Sequence, residues 1–145
     1  MNGKLWTVYK IVRVDGDAYA SISFSEGDPL HVRYCPGQWS YAPEEMSRAG
    51  YNLCVFTALS YALDFIAGCE LPPGCEVWRC EAQDLRVPRV PSLGEPCATT
   101  ILRALPVGAW PMGTVFARAV RLVERMPGIT RCEQCGAVRW HHGTV

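Results

Sequence analysis

LCVFTALSYALDFIAG, residues 53–68, followed by CELPPG (69–74) and CEVWRCEAQDL (75–85), decides how this chain is read. The run from Tyr51 to Phe56 reads as a short buried strand. Beyond it Leu59, Ala62, Leu63, Ile66 and Ala67 recur at spacings of three and four, the stripe of a helix that buries one side. Thr57 stands where an N-cap is wanted and Gly68 where a helix ends. Pro72-Pro73-Gly74 forces a turn, after which Glu76, Trp78 and Cys80 alternate with Val77, Arg79 and Glu81 on the two faces of a strand. Strand, helix and strand therefore belong to one unit.

Upstream, LWTVYKIVRV (5–14) alternates, with Trp6, Val8, Lys10, Val12 and Val14 on one side, and it stops at Asp15-Gly16-Asp17. That is a strand leading into a tight hairpin turn, because such a turn requires a residue that accepts positive φ. AYASISF (18–24) is the hairpin partner, and Leu30 to Tyr34 a third strand after Gly27-Asp28-Pro29. Residues 36–50 then form a long connection with a short helical turn after Pro43, and connections of this length are commonly binding segments. Downstream, Pro88, Pro91, Pro96, Pro106 and Pro111 keep 86–113 from being one regular element, with a short helix expected within it from Ala98 to Leu105. GTVFARAVRLVER (113–125) reads as a last strand, with helix as the alternative. The expectation is a single α+β domain over residues 1–126: a mostly antiparallel sheet of about five strands with the helix of 57–67 packed on one face. Residues 127–145 form a tail.

Composition narrows the function. The 145 residues are 49% apolar and 19% charged, enough to build one core and too hydrophobic for a disordered segment. Lys and Arg number 14, as do Asp and Glu, so no net field draws the chain to nucleic acid. From Arg79 to Arg139 the basic residues are arginines, read either as solvated faces or as one basic binding face. Neither a leader nor a run of roughly 18 apolar residues is seen, so a cytoplasmic protein without a membrane partner is expected. In that setting the 8 cysteines stay reduced.

With these elements placed, the chain resembles a group of small uncharacterised α+β domains of phage and other prokaryotic genomes. The resemblance is carried by YKIVR, Gly37-Gln38-Trp39, LCVFTALSYALDF, EVWRCEA and WPMGTVFARAVRLVER, over residues 6–126. It implies an accessory role during infection, including inhibition of a host defence complex.

Four constellations bear on chemistry. In the tail Cys132-x-x-Cys135 precedes His141 and His142, a candidate zinc site needing a ligand such as Cys35 or Cys97 to close it, against which stand reduced, metal-free thiols. Cys69, Cys75 and Cys80 read as two loop thiols and one packed one. A Cys35–His31 nucleophile pair is disfavoured, since four residues of strand separate side chains by roughly 13 Å. Finally, LCVFTAL through EVWRCEA vaguely resembles the strand, helix and strand lining the nicotinamide pocket of mono-ADP-ribosyltransferases. That resemblance implies an NAD-using enzyme with Tyr51 or Tyr61 as stacking aromatic, Glu81 as carboxylate and His31 on the ribose, although Arg13 lies near the wrong end of the first strand.

Trp78 is expected in the core, while Trp39 and Trp110, in loops beside Gly and Pro, are core lids or contact anchors. The leading expectation is a non-enzymatic protein-binding accessory module acting on a host or viral protein through loops 36–50 and 86–113, with Trp39, Tyr41 and Trp110 as contacts. The transferase is the alternative, and a structural component of a viral particle the third reading.

Overall fold

The computed structural model describes residues 4–21, 31–68, 74–92, 94–95, 98, 101, 109–126, 129–131 and 138–140. Its elements in chain order are β1 (Trp6–Asp15), β2 (Ala18–Ser21), β3 (Arg33–Tyr34), β4 (Trp39–Tyr41), α1 (Glu44–Arg48), β5 (Leu53–Phe56), α2 (Leu59–Gly68), β6 (Cys75–Arg86), β7 (Thr114–Arg125), β8 (Ile129–Arg131) and β9 (Val138–Trp140).

The hairpin of β1 and β2 forms as the Asp15-Gly16-Asp17 signal requires. Asp15 pairs with Ala18, so Gly16 and Asp17 are the loop, and Gly16 takes φ 64°. Asp17 does not share the positive φ, which is the type II′ pattern. β6 then lies between β1 and β7, paired with β1 from Trp6↔Ala82 to Arg13↔Cys75 and with β7 from Trp78↔Arg125 to Arg86↔Phe116. β5 crosses to the far side, pairing along its length with β7 and at Phe56↔Tyr9 with β1. The ring β1, β5, β7, β6 is thereby closed, every pair antiparallel.

This corrects the α+β expectation. Among the described residues the protein is mostly β, with a 7-stranded sheet that contains the closed ring, and α2 is one of two continuous helices and covers only part of the outside. Alternation marks a strand but carries no information on whether the two edges of a sheet meet. The loop of 36–50 also hides a strand, β4, paired to β7 through Trp39↔Arg121 and Tyr41↔Ala119. Of the helix expected at 98–105, Ala98 and Ile101 are described, both helical and buried. Parts of the expected strands at 22–24 and 30, and the turn at 72–73, lie outside the described residues.

The interior of the ring is filled by Val8, Val12, Leu53, Val55, Cys80 and Leu122, and Trp78 and Tyr34 belong to the same cluster. Outside, α2 lays Ala62 and Ile66 on Ile11, Phe56 and Val77. A third cluster, Met46, Tyr51, Ile101 and Phe116, lies under α1 and the 98–101 segment. Strands covered on both faces lose clean alternation, which is why Val77 and Trp78 are buried as neighbours.

Closing so small a ring needs bent strands, and two irregularities supply the bend. Arg79 pairs with Glu124 but Cys80 with Leu122, so Val123 is the extra residue of a bulge. In β6 the core residues run Trp78, Cys80, Ala82 and then Leu85, and in β7 Val115, Ala117 and then Val120. Both strands change phase between the pairs Gln83↔Ala119 and Leu85↔Ala117. Asp84 sits at that point with φ 54°, its carboxylate 3.9 Å from Arg118.

The entry to β7 is as tight. Gly113 has φ 85°, accepts the Thr57 N–H at 3.0 Å, and a Cβ there would lie 2.2 Å from the Tyr61 ring. Gly113→Ala is expected to lower the unfolding free energy by more than about 2 kcal/mol in urea titration. In a Tyr61→Ala background the same change should cost less but still more than the left-handed backbone term of about 1 kcal/mol, because the Cβ of residue 61 would remain 2.7 Å away. An undiminished cost in that background would show that the ring is not the cause.

Candidate functional site

The residues of the transferase reading are dispersed. Tyr51 is fully buried among Met46, Ile101 and Phe116, under the Arg89 guanidinium 4.5 Å from its ring centre. Tyr61 belongs to the cluster under α2 on another side of the ring, its face against Gly113. Glu81, on β6, is held by Arg121, whose Nε donates to Oε1 at 3.0 Å and whose Nη2 donates to the same oxygen. His31 is half-buried ahead of β3, and Cys35, its supposed nucleophilic neighbour, is exposed beyond the other end of that strand. The two tyrosines belong to different clusters, and the Glu81 carboxylate is paired with Arg121.

Trp110 is a lid. Its indole N–H donates to the Arg89 carbonyl at 2.6 Å and its ring meets Phe116 edge-on at 5.2 Å. Arg89 in turn donates from Nη2 to Ala49 O at 2.7 Å and to Glu95 Oε2 at 2.6 Å, while the Ser92 N–H donates to Glu95 Oε1 at 2.6 Å. Gly50, at φ 90°, leaves room for this, because a Cβ there would stand 3.1 Å from Arg89 Nε. The two segments expected to offer separate binding loops are thus stapled to each other by one arginine. The Arg89 hydrogen bond, helped by the Ser92 amide, holds the Glu95 carboxyl down to about 2.

Trp39 and Tyr41 are placed otherwise. Both lie on β4 at the side of β7, Tyr41 is 58% exposed, and the Arg121 guanidinium rests 4.9 Å from the Trp39 ring centre. Register links four strands here: Thr7↔Glu81, Glu81↔Arg121 and Arg121↔Trp39 form one continuous row on the outer face of β1, β6, β7 and β4. The next row holds Arg79 and Glu124, paired at 3.2 Å. α2 covers the other end of the same face, over Tyr9, Ile11 and Val77, and leaves the Thr7–Glu81–Arg121–Trp39 row beyond its cluster.

Five of the arginines that composition singled out are paired with carboxylates. Arg79, Arg89, Arg118, Arg121 and Arg125 each have a carboxylate within 3.9 Å, and so do Arg33 and Arg48 within 4.0 Å. Exposed pairs of this kind add about 0–1 kcal/mol to stability, but they cancel the field that a phosphate backbone would follow.

The residue that sequence reasoning passed over is Lys10. Only 8% exposed, it lies between Val8 and Val12 on the inner face, opposite Trp78, and its Nζ donates to the Cys54 carbonyl at 2.7 Å. The ammonium also stands 5.2 Å from the Tyr34 ring centre. The signal was in plain view, since Lys10 falls in phase with Trp6, Val8, Val12 and Val14 in an alternating strand. Nearby, burial pushes the Cys54 thiol up to about 11 and Cys80 to about 12, with Lys10 opposing in both cases. Both thiols stay protonated at neutral pH and are poor nucleophiles and poor metal ligands there.

The proposed zinc ligands Cys132, Cys135, His141 and His142, and the helper Cys97, lie outside the described residues. Among the described residues no group of His, Cys, Asp and Glu is arranged around a common ion position. Nor is any described helix long and apolar enough to cross a membrane. No family model, curated protein or solved structure matches the chain.

The Arg89–Glu95 staple gives an acid-limb expectation. A carboxyl near 2 when folded and 4.5 ordinarily contributes stability that is complete above about pH 4.5 and is lost as pH falls toward 2. Glu95→Gln should flatten the stability profile across that window, read by urea unfolding at stepped pH. A wild-type acid limb in the variant would assign the titration elsewhere.

Proposed function

We propose that the chain is a non-enzymatic protein-binding module that meets its partner on the outer face of β1, β6, β7 and β4. The observation that carries this reading is the row Thr7, Glu81, Arg121, Trp39, in which a half-buried tryptophan stacks on an arginine beside the exposed Tyr41. Trp, Tyr and Arg are the side chains that supply most of the energy of protein interfaces. The row is also rigid in the way a contact site needs, because each of its members is fixed by strand register rather than by a loop.

The pairing of Arg121 with Glu81 and of Arg79 with Glu124 favours a protein over nucleic acid, since the face has both charges interspersed and no basic excess. Trp110 drops out of the contact set because it is committed to Phe116 and Arg89.

The test compares capture by the tagged chain with capture by its Trp39→Ala/Tyr41→Ala variant, each first shown to be folded by thermal unfolding. A partner recovered in fixed proportion by the wild type should bind the variant more weakly by about 2 kcal/mol or more, roughly thirtyfold. Equal recovery by both chains would remove this face from the function.

A further inference from the structure

On the part of the outer face that α2 leaves open, the charges form a checkerboard. β6 presents Arg79 and Glu81, β7 presents Glu124 opposite the first and Arg121 opposite the second, and beyond them stand Thr7 on β1 and Trp39 on β4. Such a pattern is self-complementary about a two-fold axis that lies in the contact plane, between β6 and β7 and parallel to them. That operation lays β6 of one copy over β7 of the other and β1 over β4. Glu81 then meets the second copy's arginine at position 121, Arg79 its glutamate at 124, and the broad Trp39 ring its small threonine at position 7. A closed two-fold contact of this kind uses each pairing twice.

From this match we infer that the partner of the open face is a second copy of this chain, docked face to face; the inference rests on the reading of that face as protein-binding. The in-sheet pairs do not compete with the docked ones. Arg121 donates from both Nε and Nη2 to Glu81 Oε1, so Oε2 is not used by that pair, and the side chains of Glu81 and Arg121 keep 30% and 33% of their surface in water. Each carboxylate can therefore be bracketed by two arginines, one from its own sheet and one from the second copy, and charge-assisted bonds of this type are stronger than neutral ones. The outer face of a small barrel curves away from its neighbour, so the contact area is limited and the dimer is a weak, concentration-dependent one.

Sedimentation velocity over a micromolar concentration series tests this. The wild type should shift from monomer to dimer as concentration rises. Glu81→Arg places arginine against arginine twice and should weaken the dimer by more than about tenfold. Glu81→Arg/Arg121→Glu restores both the in-sheet pair and the docked pattern, so it should dimerise with itself. It should not mix with the wild type, because mixed dimers oppose like charges at both crossings; differently labelled chains report this by energy transfer. A wild type that stays monomeric, a dimer indifferent to Glu81→Arg, or free mixing with the double variant would each overturn the inference. A monomeric wild type whose capture of another protein depends on Trp39 and Tyr41 would leave the binding-module reading standing without it.

Discussion

Everything in this molecule answers to the closure of a four-strand ring through β5. That strand has four residues, yet it pairs along its whole length with β7 and reaches β1 through Phe56. Two long neighbours can meet so short a bridge only if they bend, and the bulge at Val123 and the left-handed Asp84 are where they do. The same closure makes the interior narrow, which suits Val, Ala and Cys and the slender stem of Lys10 better than aromatic rings. Trp78 finds Tyr19 edge-on at 5.3 Å and its indole N–H a carboxylate oxygen of Glu76 at 3.1 Å, while Tyr34, from β3, is fully buried in the same cluster.

Much of the local structure was legible in the sequence and the closure was not. Asp15-Gly16-Asp17 announces its turn because few residues accept the backbone it needs, and the 3.6-residue stripe of α2 survives because that helix buries one face only. The alternation of 113–125 reads correctly as a strand, but its phase slips after Ala117, and no local signal marks the slip because Arg118 and Ala119 are ordinary strand residues. β4 was hidden for a different reason: three residues between Gly-Gln and Ala-Pro carry no periodicity, and their pairing to Arg121 is a contact across eighty residues.

The same contrast governs the candidate site. Tryptophans in proline-bearing segments look alike in one dimension, yet Trp110 is consumed by a carbonyl and a phenylalanine whereas Trp39 is presented on a strand edge. A run of arginines suggests a basic face until strand register sets a glutamate opposite each of Arg79 and Arg121. Glu81 looked like a lone carboxylate on a strand for the same reason, since what occupies it comes from forty residues further along. Function here depends on which strands are neighbours, and neighbourhood is a property of the closed ring.

The position of β6 between β1 and β7 also orders events in time. Emerging from the ribosome, β1 and β2 can form their hairpin at once, but the long edge of β1 that β6 covers stays open until residues 75–82 appear, and the ring cannot shut until 114–125 follow. During that interval a strand bearing Val8, Ile11 and Val12 offers unpaired amides and carbonyls to whatever is near, the condition under which nascent β-proteins pair with the wrong chain. The lysine in the middle of that strand then has a second use: while the edge is bare, an ammonium in the centre of its apolar row opposes stacking against an identical strand.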